Sequence, residues 1–375
     1  MSCHIPPMER LPSAVISDLL EPLQAQAQVL DQDPQALAEG WRQIGRWGTP
    51  WLAPKLAQTL GEPGFEDPLL AARWQERLTQ ASGALAFLAV QHQSAAMLLS
   101  RSQTQGLEES LEAVKTGKLG LGVAFAHLRR DPCPLEAEQV DGGYHLTGEA
   151  PWVTGWGIFD RVVVAATLPD RRIIYGLVPF ASADRGEQGS LTCGPPFALV
   201  SLASTQTVAI QFDRWYLPQN LVLFERPAGF LAKQDRRKVL GGSLFALGNT
   251  AASVALVRSM ADRRGGDCLA AAAGSLEQEL VALRVAIYGA FAELNQMTEP
   301  ASETWVQRAL QLRGQAIGLM GRSAQAAVAA SSGAANTATH SAQRLYRESL
   351  AFTVTGQSQA VMAATLRNLT GSSCR

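Results

Sequence analysis

The sequence predicts an α+β protein in three parts: an N-terminal helical domain over residues 1–118, a middle β-barrel or sandwich domain over 119–228, and a C-terminal four-helix bundle over 229–375. Apolar residues recur at helical spacing through the first part. Between Leu119 and about Pro227 the composition shifts to Val, Ile, Thr, Gly and Pro, in short runs bounded by turn residues. From Asp235 onward, long stretches without helix breakers resume. A chain of 375 residues, 47% hydrophobic and 17% charged, is long for one core and too apolar to be disordered.

In the first part the helical spacing runs through Leu69, Leu70, Trp74 and Leu78, then through Leu85, Leu88, Met97 and Leu98. Gly61-Glu62-Pro63-Gly64 punctuates the two halves. In the second part Asp141-Gly142 is a hairpin signal between two alternating segments. Arg161 to Thr167 and Arg172 to Pro179 read as strands joined by Leu168-Pro169-Asp170-Arg171, and Thr205 to Phe212 alternates as another. In the third part four helices are expected, at about 235–262, 267–297, 302–331 and 339–369. Thr298-Glu299-Pro300 and Ser331-Ser332-Gly333 separate them, and short connections make the bundle antiparallel.

Several functions are disfavoured. The net charge of −1, from 32 basic and 33 acidic residues, gives no surface for nucleic acid, whose binding rests on neutralising phosphates. The longest clearly apolar run, Gly83 to Val90, is shorter than the ~20 residues that span a bilayer. The start, Met1 to Pro7, lacks a secretory pattern, so a cytoplasmic protein is expected. Cys3, Cys133, Cys193, Cys268 and Cys374 are scattered without C-x-x-C spacing, so no disulfide framework and no metal site is expected. Small apolar residues from Gly241 to Val257 and from Ala309 to Ala330 predict association through the bundle, as a homodimer or homotetramer.

Three local patterns carry a resemblance. The first is Asp141-Gly142-Gly143-Tyr144-His145-Leu146-Thr147-Gly148, followed by Trp152-Val153-Thr154 and by Asp160 opening a strand. The second is Val208 to Asp213 followed by Pro218-Gln219-Asn220-Leu221. The third is Arg344-Leu345-Tyr346-Arg347-Glu348, eight residues before Gly356-Gln357-Ser358-Gln359. In this order, inside a helical–β–helical layout, they resemble the acyl-CoA dehydrogenase superfamily. That resemblance implies FAD at the junction of the three parts. It implies that Trp152 packs on the flavin and that Val153 and Thr154 lie at its N5 edge. It also implies that Arg263 reaches the cofactor's pyrophosphate across a subunit interface, and that Gln357 and Gln359 contact the adenylate half. Trp152 and Thr154, two apart on a strand, are expected on one face, where an aromatic wall and a hydroxyl suit an isoalloxazine ring.

The pattern also breaks. A dehydrogenase of this family removes an α proton with a carboxylate, and the usual base position here is Thr355. The other position used by relatives, near Val239-Leu240-Gly241-Gly242, holds no acid; Asp235 comes a turn too early and Glu225 lies outside the helix. The family's glycine-rich phosphate loop is replaced by Phe125-Ala126-His127-Leu128-Arg129-Arg130-Asp131-Pro132. There Leu128 takes a cofactor-side position, and alternation puts His127 and Arg129 together as substrate-side candidates. Ala329 stands where the family has a glutamine.

The resulting expectation is a flavin-dependent oxidoreductase acting on an unidentified small molecule, an acyl thioester being one candidate, and not a standard β-oxidation dehydrogenase. A flavin-dependent monooxygenase of the same fold needs no α-proton base, and Thr154, His127 and His340 are the groups available to support its oxygen chemistry. A third reading is a non-catalytic binding or assembly protein derived from the fold.

Overall fold

The computed structural model describes residues 20–46, 68–297 and 301–371. The expected break at Gly61–Gly64, the start Met1–Pro7, Thr298-Glu299-Pro300, Cys3 and Cys374 lie outside the described residues. Helices α1 (Ala27–Gln32), α2 (Pro34–Arg46), α3 (Pro68–Ala81), α4 (Gly83–Ser100) and α5 (Glu108–Lys115) form the first part. Their boundaries follow capping chemistry. The Asp33 carboxylate accepts from the N–H groups of Gln35 and Ala36, ahead of Pro34, which needs no donor partner in a first turn. Ser82 caps α4 by accepting from Leu85 N. Trp74, Leu78, Leu85 and Leu88 are buried.

The β segment is one nine-stranded mixed sheet, comprising β1 (Leu121–Ala124), β2 (Leu135–Val140), β3 (Gly143–Val153), β4 (Arg161–Thr167), β5 (Ile173–Pro179), β6 (Ala183–Asp184), β7 (Ser190–Cys193), β8 (Val208–Pro218) and β9 (Val222–Arg226). Its order is β6-β7-β8-β3-β2-β4-β5-β9, with β1 parallel to β4. The Asp141-Gly142 turn joins β2 to β3 with Val140 opposite Gly143, and Gly142 has φ +73°. Strand β4 is apolar from Val162 to Ala166 because both faces are covered there. Val162, Val164 and Ala166 join the core shared with the helices, whereas Val163 and Ala165 join a second core with Tyr175, Leu121 and α4 residues Ala95 and Leu99.

A short helix α6 (Phe230–Lys238) leads into α7 (Ser243–Arg264), α8 (Asp267–Gln296), α9 (Glu303–Ser331), α10 (Ser341–Val354) and α11 (Gln359–Thr370). Two of the four expected helices are therefore broken. Gly241-Gly242 divides α6 from α7. Thr355-Gly356 divides α10 from α11, where Gly356 has φ +62°, a conformation that ends a helix. Ser358 then caps α11. The stretch Phe230–Arg264 is long and apolar enough to cross a bilayer, which the sequence reading overlooked. However, 78% of its apolar window is buried within the fold, as befits the central helix of a bundle.

The small-residue faces expected between subunits are used inside one subunit. Ala246, Val254, Val257, Ala309, Ala316, Ala324 and Ala327 are all buried in this single chain, because small side chains let α7 and α9 approach closely. Exposed apolar side chains gather instead on two other helices, Tyr346, Leu350 and Val354 on α10 and Met362, Leu366 and Leu369 on α11. Their spacing of three and four puts each set on one helix face.

His92 of α4 fixes β1 to this helix layer. Its Nδ1 accepts from Leu121 N at 2.8 Å, and its ring lies edge-on to Trp41. Burial pushes its pKa down to about 3, and burial lowers that of His127 as well. An unfolded chain protonates both near ~6.5. The stability they contribute is complete above that pH and is lost as the pH falls, for His92 down to about 3. Unfolding free energies from urea titrations across this window should decline by up to ~1.4 kcal/mol per pH unit for each histidine. His92→Phe should remove one histidine's share of that slope; an unchanged slope would refute the assignment.

Candidate functional site

Strand β3 delivers Trp152 to the surface at its end. The ladder between β3 and β8 slips between Ala150 and Val153, and the chain turns sharply at Gly155, whose φ is +99° and whose Cα faces the Phe159 ring too closely for any side chain. Simple alternation therefore fails here. Trp152 is 50% exposed and rests against Phe197 at a centroid distance of 4.8 Å. Val153 is fully buried, and Thr154, also buried, holds its Oγ1 within 3.0 Å of Thr207 Oγ1. The two residues expected on one face thus differ in exposure. What the strand presents to solvent is an aromatic wall of Trp152 and Phe197, with a threonine hydroxyl pair behind it.

The 125–134 segment departs from its reading as a strand end. Residues Ala126–Arg129 form a 3-10 turn, which rotates successive side chains by about 120° where a strand would alternate them. His127 consequently points inward, with Nε2 2.9 Å from Ala165 O. Leu128 is buried in the second core. Arg129 grips Asp235 of α6 with both arms of its fork, Nε at 2.9 Å and a terminal nitrogen at 2.5 Å, and that bond holds the guanidinium pKa above its usual value. His127 and Arg129 therefore face different ways: His127 bonds within the β segment, to β4, and Arg129 ties that segment to α6. His340, another candidate for oxygen chemistry, caps α10 by accepting from Ala342 N.

The two positions at which the resemblance implied a base, Thr355 and the 239–242 turn, meet at a residue the sequence reading missed. Arg313, in the middle of α9, is 1% exposed. It donates from NH2 to the Thr355 carbonyl at 2.5 Å and from NH1 to the Val239 carbonyl at 3.3 Å, while its Nε has no partner. Each acceptor is the C-cap of a helix, so the guanidinium sits at the negative ends of α6 and α10. No carboxylate among the described residues pairs with it, and burial pushes its pKa down to about 10. It still remains a cation at neutral pH. A Cβ on Gly242 would lie 2.0 Å from its NH1, which explains the glycine. Thr355 turns its own hydroxyl back onto Ala351 O. One signal could have found Arg313: it falls on the apolar stripe of Ala309, Ala316, Ile317 and Met320, where a charge is costly unless it has a task.

The carboxylates considered for the base are also engaged. Asp235 holds Arg129, and Glu225 on β9 accepts from Tyr144 Oη at 2.5 Å and from Arg172. Arg263 lies in the last turn of α7, ~30 Å of helix from Gly242. It is exposed and contacts Ser259 O and Met260 Sδ, with no carboxylate among the described residues. Gln357 is half-buried in the α10–α11 break beside Thr355, Gln359 opens α11, and Ala329 is exposed near the end of α9.

No family model matches the sequence, and no curated protein matches it. Its shape does find relatives. Butyryl-CoA dehydrogenase from Megasphaera elsdenii superposes with a TM-score of 0.75 at 16% identity, over 98% of this chain and 100% of that one. The chain has the acyl-CoA dehydrogenase fold. Nitrososynthase from Micromonospora carbonacea var. africana superposes with a TM-score of 0.72 at 18% identity, over 98% of each chain. The FAD complex of PigA gives 0.73 at 19% identity, over 98% of this chain and 99% of that one. Within this fold, the Arg313 junction is a feature of the chain's own side chains.

Introducing a branched side chain by Gly242→Val should evict that guanidinium from its seat between two helix ends. Overpacking and an unsatisfied buried charge together predict a loss of ~2 kcal/mol or more, measured by urea unfolding. A near-neutral effect would show that the arginine has room to move.

Proposed function

We propose that this chain is an FAD-binding flavoprotein of the acyl-CoA dehydrogenase fold, and an oxidoreductase on a small molecule other than the straight-chain acyl thioesters of β-oxidation. The observation that carries the flavin is the exposed Trp152–Phe197 wall: a half-exposed indole at a strand end is apolar surface in want of a partner. Trp152 would hold the ring, with the Val153 backbone and the Thr154 hydroxyl at its edge. Arg263, which pairs with no carboxylate among the described residues, would meet the pyrophosphate of a neighbouring subunit's cofactor, and Gln357 and Gln359 its adenylate half. When bound, the cofactor supplies an acceptor for a hydride or for two electrons. Leu128, the remaining cofactor-side position, packs its side chain in the second core.

The chain's own groups shape what such a site would process. Where a dehydrogenase needs a carboxylate to take a proton, this one places a cation, Arg313, and a threonine whose hydroxyl is spent on Ala351 O. That arrangement favours negative charge and offers no acceptor for an α proton. The same observation favours, as second reading, a flavin-dependent monooxygenase, which requires no such base; a nitrososynthase shares the fold. The non-catalytic reading fails if the purified protein carries flavin. A cytoplasmic location belongs to the same proposal. So does assembly as a homodimer or homotetramer through the exposed faces of α10 and α11.

Three outcomes are expected. The purified protein, reconstituted with FAD, should show flavin absorbance. Trp152→Ala should then raise the dissociation constant by at least roughly 2- to 10-fold, from ~0.5–1.5 kcal/mol of aromatic contact beyond area burial, whereas Arg129→Ala should leave it near wild type. Equal retention by Trp152→Ala would contradict the placement of the ring.

Straight-chain acyl-CoA substrates should barely reduce the bound flavin, since general-base help is worth about 10²–10⁴-fold in rate. Thr355→Glu should not restore activity, because Arg313 would hold the new carboxylate as an ion pair. Rapid reduction by butyryl-CoA in the unmodified protein would refute the reading.

Light scattering at micromolar concentration should give a mass above that of the 40.1 kDa chain. Leu350→Glu with Leu366→Glu should shift it to the monomer. A monomeric wild type would reject the assembly.

A further inference from the structure

Away from the Trp152 wall and the Arg313 junction, α3, α7 and α8 enclose a cleft of about 390 Å³. That volume lies within the range of sites for small organic ligands. Its deepest polar group, Glu76, is 5% exposed and fully engaged: Arg284 Nε donates to one oxygen and Tyr288 Oη to the other, each at 2.7 Å. The second carboxylate of the cleft, Glu277, pairs with Arg258. Both acidic charges are thereby spent.

Two guanidiniums remain. Arg73 and Arg77 line the cleft from successive turns of α3. Arg73 forms no ion pair with any described residue, and Arg77 reaches only Gln80 Oε1 at 3.4 Å. Like charges four apart on a helix repel, and a concave wall concentrates their field. A doubly charged oxyanion relieves that repulsion, and the guanidinium fork matches its geometry. Beside them Val254, Leu280 and Val281 give the cleft an apolar side, and Val281 is 49% exposed.

We propose that this cleft binds a small organic dianion, a phosphate monoester whose head is held by Arg73 and Arg77 and whose apolar body lies on Val254, Leu280 and Val281. The site goes beyond the flavin reading and uses none of its residues. Isothermal titration of the full chain with phenyl phosphate, inorganic phosphate and benzyl alcohol tests it. Phenyl phosphate should bind about tenfold or more tightly than either of the others, since only it carries both the head and the body. Its affinity should fall with added salt. The double substitution Arg73→Ser with Arg77→Ser, at positions outside the core, should weaken it about tenfold or more. Trp152→Ala should leave it unchanged, and FAD should not compete. Absence of binding by phenyl phosphate, equal affinity for inorganic phosphate, unchanged affinity in the double variant, or competition by FAD would each overturn the proposal. Should the double variant fail to fold, the comparison of three probes on the unmodified chain decides alone.

Discussion

The first and third parts of this molecule meet over a buried ion pair. Glu348 of α10, 1% exposed, accepts from Arg344 one turn earlier at 2.6 Å and from Asn249 of α7 at 3.3 Å. Its carboxylate lies against the first residue of α4, where a Cβ on Gly83 would come within 2.6 Å of it. The positive end of α4 therefore faces the charge, a favourable arrangement for an anion. Burial nonetheless pushes the carboxyl pKa up, against the pull of Arg344. Breaking such a pair leaves an uncompensated buried charge, typically at a cost of ~3–5 kcal/mol. A neighbouring bond from Arg347 to Asp31 extends the junction to α1, and Ser204 Oγ donates to Leu30 O to bring in the β segment.

Much of this architecture was legible because turns and breakers carry local signals. The Asp141-Gly142 hairpin and the 168–171 connection needed only the chemistry of glycine, aspartate and proline. Other features depended on tertiary context. Gly241-Gly242 and Gly356 fell inside the helices expected at 235–262 and 339–369, yet each is a break, because the chain turns there to bring two helix ends to Arg313. The small-residue faces of α7 and α9 were read as intersubunit surface. Nothing in a single sequence distinguishes a face that meets a neighbouring helix of its own chain from one that meets a partner's.

The candidate site was legible unevenly for a related reason. The Trp152-Val153-Thr154 pattern located the aromatic wall, although a slip in the β3–β8 ladder removed the expected sharing of one face. His127 and Arg129 were misplaced because a 3-10 turn has a different period from a strand. Arg313 was visible as a charge on an apolar stripe. A motif built around a carboxylate base gives no reason to single out a cation on a neighbouring helix.

Gly242 and Arg313 form a single lock although they are far apart in sequence. With the guanidinium in place, position 242 admits no side chain, and with glycine there the arginine has its seat. Neither residue can drift alone, so homologues that keep one should keep the other, and those that lose the arginine should accept a wider choice at 242. The lock also gives the lineage a direction. A descendant that gained an acid at position 355 would first meet a cation beside it, and a proton-accepting carboxylate there would require the arginine to leave beforehand. The order of substitutions, more than their number, would then limit any route to carboxylate chemistry at this junction.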